Sequence, residues 1–329
     1  MAAHRGTVQP GSIIRPPAEA DWLSKATHAK VGLGLAAVGI MVAMVALIGA
    51  IVNATLIADD GSGDATVLSH DAWTFGVATA GLGTIKLGIG VILLGIVRWL
   101  WIRVESTKVG LAKLVPDAEG KGDVASASAE NPYMKVSVTQ KPVPPYLLHR
   151  MAYAMWLPML LMGAMVVLIG LVFSFIEAAA GADGNTADFF TFSALAQGTE
   201  FLGEALLLAG ISLLLGSILG SLRQGAGEVQ ESLGVAIKTP IMPATGKLFV
   251  ALMAMGLMLA MLQFVLYLFV AVNDDPDSIR RAWFAWLGPL REAALGIMLS
   301  GIVLALATIG TKVLPFQFWR IQELIRTGK

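Results

Sequence analysis

Five charged residues lie away from the ends of stretches otherwise apolar enough to cross a bilayer: Lys86, Glu200, Glu204, Arg291 and Glu292. An ionised side chain at the centre of a membrane helix costs about 2.5–3.5 kcal/mol or more, so each is a functional candidate by default. Glu200 and Glu204 are four residues apart, which puts both carboxylates on one helix face. With Lys86 and Arg291 they predict a buried network of opposite charges about a pseudo-threefold axis. The chemistry that fits is an ion or proton pathway, with the carboxylates accepting the cation and Lys86 tuning their affinity for it.

A plainer reading is preferred at this stage. The 32 residues from Trp283 to Leu314 would make a helix of ~48 Å, longer than a ~30 Å hydrocarbon core. Gly288-Pro289 offers a break, since proline is tolerated in the first turn of a helix. Thr199 is placed to cap the equivalent helix, and Gly83-Thr84 occupies the same place in the first copy. The spanning helices then begin near Gly83, Thr199 and Pro289, which leaves the charges at the outer boundary.

The elements that carry these residues follow from composition. The chain has 329 residues, 56% hydrophobic and 14% charged, which is too apolar for a water-soluble domain. Six stretches reach the ~20 residues a span needs, at roughly 31–53, 75–101, 150–176, 190–222, 248–272 and 284–312. No signal peptide is evident, so the first span is expected to direct insertion. The odd loops carry Asp59, Asp60, Asp64, Asp71, Asp183, Asp188, Asp274, Asp275 and Asp277, with Arg280 and Arg281 as bases. Most other Lys and Arg residues fall in the tails and even loops. The positive-inside rule then puts both termini in the cytoplasm of a plasma (inner) membrane protein.

The expected fold is an all-α integral membrane protein of six transmembrane helices, built as three parallel-repeat helical hairpins. GTIKLGIGVILLGI (83–96) aligns without gaps on GTEFLGEALLLAGI (198–211), with seven of fourteen positions identical. Gly288 to Ile302 is a weaker third copy. Proline elbows at Pro16-Pro17, Pro142 to Pro145, and Pro240 with Pro243 precede the units. The division is a cytoplasmic tail with its elbow (1–30), hairpin 31–115, a flexible linker 116–141, hairpin 142–237 and hairpin 238–329. The last ends in an amphipathic segment, Phe316 to Arg326, expected at the membrane interface or on a partner.

Other constellations are read as structural. The acidic loop from Asp59 to Asp64 lacks the ligand order of a calcium loop. Methionine stripes (Met151, Met155, Met159, Met162; Met253, Met255, Met258, Met261) are soft enough for Cu(I), but are read as core filler. None of His4, His28, His70 and His149 lies deep in a span. The chain has no cysteine, which excludes disulfides, thiolate metal sites and a Cys nucleophile. Nucleotide-binding, zinc-hydrolase and serine-hydrolase motifs are absent from the sequence. Zero net charge gives no electrostatic case for nucleic acid.

The functional expectation is a non-catalytic subunit or scaffold of a larger membrane complex, in contact with lipid and with other membrane subunits. Ser212, Gly216 and Gly220 form a small-residue face suited to close helix contact. No cofactor and no metal are expected. The alternatives are a transporter or channel for ions, protons or small solutes using Lys86, Glu200, Glu204, Arg291 and Glu292, and a metal- or quinone-associated oxidoreductase subunit.

Overall fold

A computed structural model describes residues 27–60, 64–112, 131–273 and 276–327. Among the described residues six helices are long and apolar enough to cross a membrane. They are α1 (Thr27–Asp60), α2 (Ala65–Ala112), α3 (Leu147–Ala182), α4 (Thr186–Ser232), α5 (Ala244–Val272) and α6 (Asp277–Thr308). A π-turn, Ile309–Val313, joins α6 to α7 (Leu314–Thr327). Strands β1 (Val136–Thr139) and β2 (Ile237–Pro240) pair antiparallel, with Val136 opposite Pro240. The fold is that of a helical, multi-pass membrane protein. Its two ends are distinct: α1, α3 and α5 end and α2, α4 and α6 begin at one, here the acidic-loop end, and β1, β2 and α7 lie at the other, the ribbon end.

α4 is the axis of the bundle. It contacts α2, α3, α5 and α6, while α1 packs on α2. In its most apolar stretch 83% of residues are buried, against 17–28% in the other five helices. The reason is side-chain size. Gly163 of α3 lies so close to α4 that a Cβ there would stand 2.7 Å from the Leu207 nitrogen and 2.9 Å from the Gly203 oxygen. Gly32 of α1 meets α2 in the same manner, 2.7 Å from the Gly88 oxygen. Small residues permit such approach, and dispersion contacts then hold helices together without a hydrophobic drive. The outer helices turn Leu33, Met41, Leu161, Met165 and Val303 outward instead. Of the methionine stripes, Met151, Met155, Met162, Met255, Met258 and Met261 are exposed, while Met253 packs against the core as expected. Hydrocarbon accepts a thioether chain as readily as a protein interior does.

The helix starts differ from the preferred reading. α4 begins at Thr186, where the chain turns at Gly184 with φ 69° and Asn185 caps the helix. The Asn185 side chain accepts from the Asp188 backbone N–H at 3.3 Å and donates to the Asp188 carboxylate at 2.7 Å. Thr199 caps nothing: its hydroxyl donates to the Leu195 carbonyl at 2.6 Å, inside a continuous helix. α6 also runs through Gly288-Pro289. Proline removes one N–H from the ladder, and membrane helices tolerate this where a neighbour supplies polar contacts. Beside this point Gln263 of α5 donates to the Leu287 carbonyl at 2.6 Å, a polar contact between the two helices.

At the ribbon end, residues 136–139, assigned to a flexible linker from composition, form β1. The Pro16-Pro17 elbow and residues 116–130 lie outside the described residues. The amphipathic α7 docks on its own chain. Arg320 donates to Gln230 at 2.7 Å, to the Ala236 carbonyl at 2.9 Å and to Glu323 at 2.6 Å. Lys238 of β2 meets the other Glu323 oxygen at 2.6 Å.

Candidate functional site

α2, α4 and α6 each contribute one charged residue to a single point. The Glu204 carboxylate lies 2.9 Å from the Lys86 ammonium and 3.1 Å from the Arg291 guanidinium. Its side chain is 1% exposed, and those of Lys86 and Arg291 are 17% and 13% exposed. The Arg291 guanidinium also lies 5.2 Å from the Phe75 ring centre. Glu204 follows Thr186 by 18 residues, or ~27 Å of helix, which places the ion pairs well inside the bundle. The helix expected to start at Thr199 begins 13 residues earlier, at Thr186, and the charges lie inside the helix bundle.

One turn toward the acidic-loop end is Glu200, with no exposure at all. Its Oε1 accepts from Ser174 of α3 at 3.1 Å, and the Thr79 hydroxyl of α2 is within reach. Oε2 is buried without a hydrogen-bond partner. Room for the carboxylate comes from Gly76, where a Cβ would stand 3.2 Å from Oε1. Glu177 lies one turn beyond Ser174 on α3, is 5% exposed, and has the Ser193 hydroxyl as a neighbour.

Sequence reasoning passed over Glu177, because the third span was ended at residue 176. A signal was present. Gly163, Val167, Gly170, Ser174, Glu177 and Gly181 recur at three- and four-residue spacing and form the buried stripe of α3. Neutral polar side chains also join helices. Tyr267 of α5 donates to Gln197 of α4 at 3.1 Å.

Comparison of the chain with protein-family models, curated proteins and solved structures gives no match. The site must speak for itself.

Two sets of candidates are not part of the cluster. Glu292 follows Arg291 in sequence but is exposed on a different face of α6. Ser212, Gly216 and Gly220 pack inside the chain. Ser212 donates to the Met253 sulfur at 3.2 Å, and positions 216 and 220 face Ala152 and His149. That face is spent on α3 and α5, so it leaves no surface for a partner. Among the described residues no group of three His, Cys, Asp or Glu side chains is arranged to hold a metal ion.

The ribbon side of the cluster is apolar. Leu207, Leu208, Ile211 and Leu214 of α4 pack with Leu160, Ala260 and Met298. A separate polar group lies beyond this layer: Tyr153 bonds Ser221, and Arg223 stacks over the Tyr146 ring at 4.0 Å.

Proposed function

We propose that the chain is a non-catalytic subunit of a larger membrane assembly, docked through the outward face of α6. The observation that carries this is Glu292. It is exposed midway along a helix whose outward face is largely apolar, one position from a residue that reaches the bundle interior. A carboxylate facing hydrocarbon at that depth is expensive. A neighbouring transmembrane chain with a cationic or hydrogen-bond-donating side chain removes the cost.

The surroundings of Glu292 fit a close helix contact. Gly288, Gly296 and Ser300 share its face at four-residue spacing, and nothing lies within 4 Å of a Cβ built at Gly288 or Gly296. Small residues flanking one polar group are the usual composition of a membrane-helix interface. The excess of Lys and Arg at the ribbon end supports placing that end, with both termini, in the cytoplasm of an inner membrane. Three related hairpins remain the reading of the internal repeat. Aligned Gly88 and Gly203 support it, since each meets a glycine of the preceding helix, Gly32 and Gly163.

The experiment is extraction of the native protein into lipid nanodiscs without detergent, followed by identification of every chain retained. A defined second membrane chain is expected, and Glu292→Leu should release it while the chain itself stays folded. Recovery of the protein as a lone monomer would defeat the proposal.

A further inference from the structure

We propose that Glu177 and Glu200 form a proton-binding carboxylate pair inside the bundle, filled and emptied from the acidic-loop end by way of Asp71. The proposal is independent of the assembly reading, because these residues lie on α2, α3 and α4, away from the face of Glu292.

The geometry is a file of carboxylates of decreasing exposure. Asp71 is exposed near the start of α2. Glu177 is 5% exposed and is within electrostatic reach of both Asp71 and Glu200. Glu200 has no exposure and is tied to the same face of α3 through Ser174. Ser174 and Glu177 are three residues apart, about 4.5 Å along the axis. The second observation is the buried Glu200 Oε2, which has no hydrogen-bond partner. A bare buried oxygen of that kind costs the full desolvation penalty of the group. A proton held by the pair removes the charge that this bare oxygen would otherwise carry.

The surrounding charges ask for one proton. α2 contributes Lys86 and the outer Asp71, α3 contributes Glu177, α4 contributes Glu200 and Glu204, and α6 contributes Arg291. From α5 the titratable neighbour is Tyr267, whose hydroxyl donates to Gln197. Two partly buried cations face three buried carboxylates, and one proton makes the group neutral. A medium of low dielectric strongly favours neutrality. The chemistry is a single exchange. A proton from water forms an O–H bond at a carboxylate oxygen, and that bond breaks when the proton returns. The apolar layer of Leu207, Ile211, Leu214 and Met298 closes the far side, so both steps use the acidic-loop end.

The test is infrared spectroscopy of the full chain in lipid at neutral pH, reading the carbonyl band of a protonated carboxylic acid. One buried carboxylic acid is expected in the unaltered protein. By charge count, Glu177→Gln and Glu200→Gln should each abolish the band, since either leaves two cations facing two carboxylates. Glu200→Asp, which keeps the charge, should retain the band at a shifted frequency and so separates loss of the proton from loss of the fold. In oriented proteoliposomes, heavy water at the acidic-loop side should shift the band before heavy water at the ribbon side, and Asp71→Asn should slow that shift. Absence of the band in the unaltered protein, survival in both Gln variants, or equal exchange from both sides would overturn the proposal.

Discussion

Glu204→Leu is the perturbation with the largest expected effect on stability. The substitution leaves Lys86 and Arg291 pointing at each other's former counter-ion, 2.9 Å and 3.1 Å from atoms no longer present. Removing one partner of a buried ion pair costs about 3–5 kcal/mol, because an uncompensated charge stays behind. At ~1.4 kcal/mol per tenfold, the unfolding equilibrium constant should rise by about two to four orders of magnitude. Replacing the whole cluster is a different matter. Buried ionic groups exchanged for apolar residues of similar volume are often neutral for stability. The triple variant Lys86→Met, Glu204→Leu, Arg291→Met should thus recover most of the loss. Reversible unfolding in bicelles, followed by steric trapping, measures all three proteins on one scale. A cost below ~1 kcal/mol for Glu204→Leu, the value of an exposed pair, would refute burial of the cluster. A triple variant as unstable as the single one would refute the charge-stranding cause.

Other consequences are simpler to read. Gly203→Ala places a methyl 2.6 Å from the Val167 nitrogen and 2.9 Å from the Gly163 oxygen, so overpacking should cost about 1–3 kcal/mol and lower the thermal midpoint. Gly296→Ala meets nothing and should leave the chain's own stability unchanged in the same assay. Asn185→Ala removes the cap of α4 and should cost about 1 kcal/mol, with faster amide exchange confined to the first turn. The backbone N–H of Thr66, with its hydroxyl, holds the Asp64 carboxyl below its usual value. Its cap on α2 should therefore persist through mildly acidic pH and be lost only as pH falls through that lowered value, as amide exchange at Thr66 would report.

Helix number and approximate span positions were legible because they depend on runs of apolar residues alone. The opposite signs of Lys86, Glu204 and Arg291 also announced that they could meet. Depth was not legible in the same way. It turned on whether Thr199 or Asn185 caps α4, and both are acceptable capping types. The local signal favoured Asn185, followed by Asp188 at the third position of the first turn, but the aromatic run Phe189 to Phe192 resembled an interfacial segment. Glu177 was lost through a span boundary drawn one residue short. Gly216 and Gly220 were legible as a close-contact face, but their partner was not. A GxxxG pair marks a close contact without saying whether the partner belongs to the same chain.

The most direct measurement uses the absence of cysteine, which makes any introduced thiol unique. Thr199 lies 13 residues after Thr186 and is 9% exposed, ~20 Å along the helix from its start. Thr186→Cys and Thr199→Cys, treated in intact vesicles with a membrane-impermeant maleimide from the acidic-loop side, separate a buried cluster from one at the membrane boundary. Labelling of Thr186→Cys and protection of Thr199→Cys until the protein is denatured is the expected result. Equal labelling at both positions would place Glu200 and Glu204 at the surface and contradict a charge cluster buried around α4.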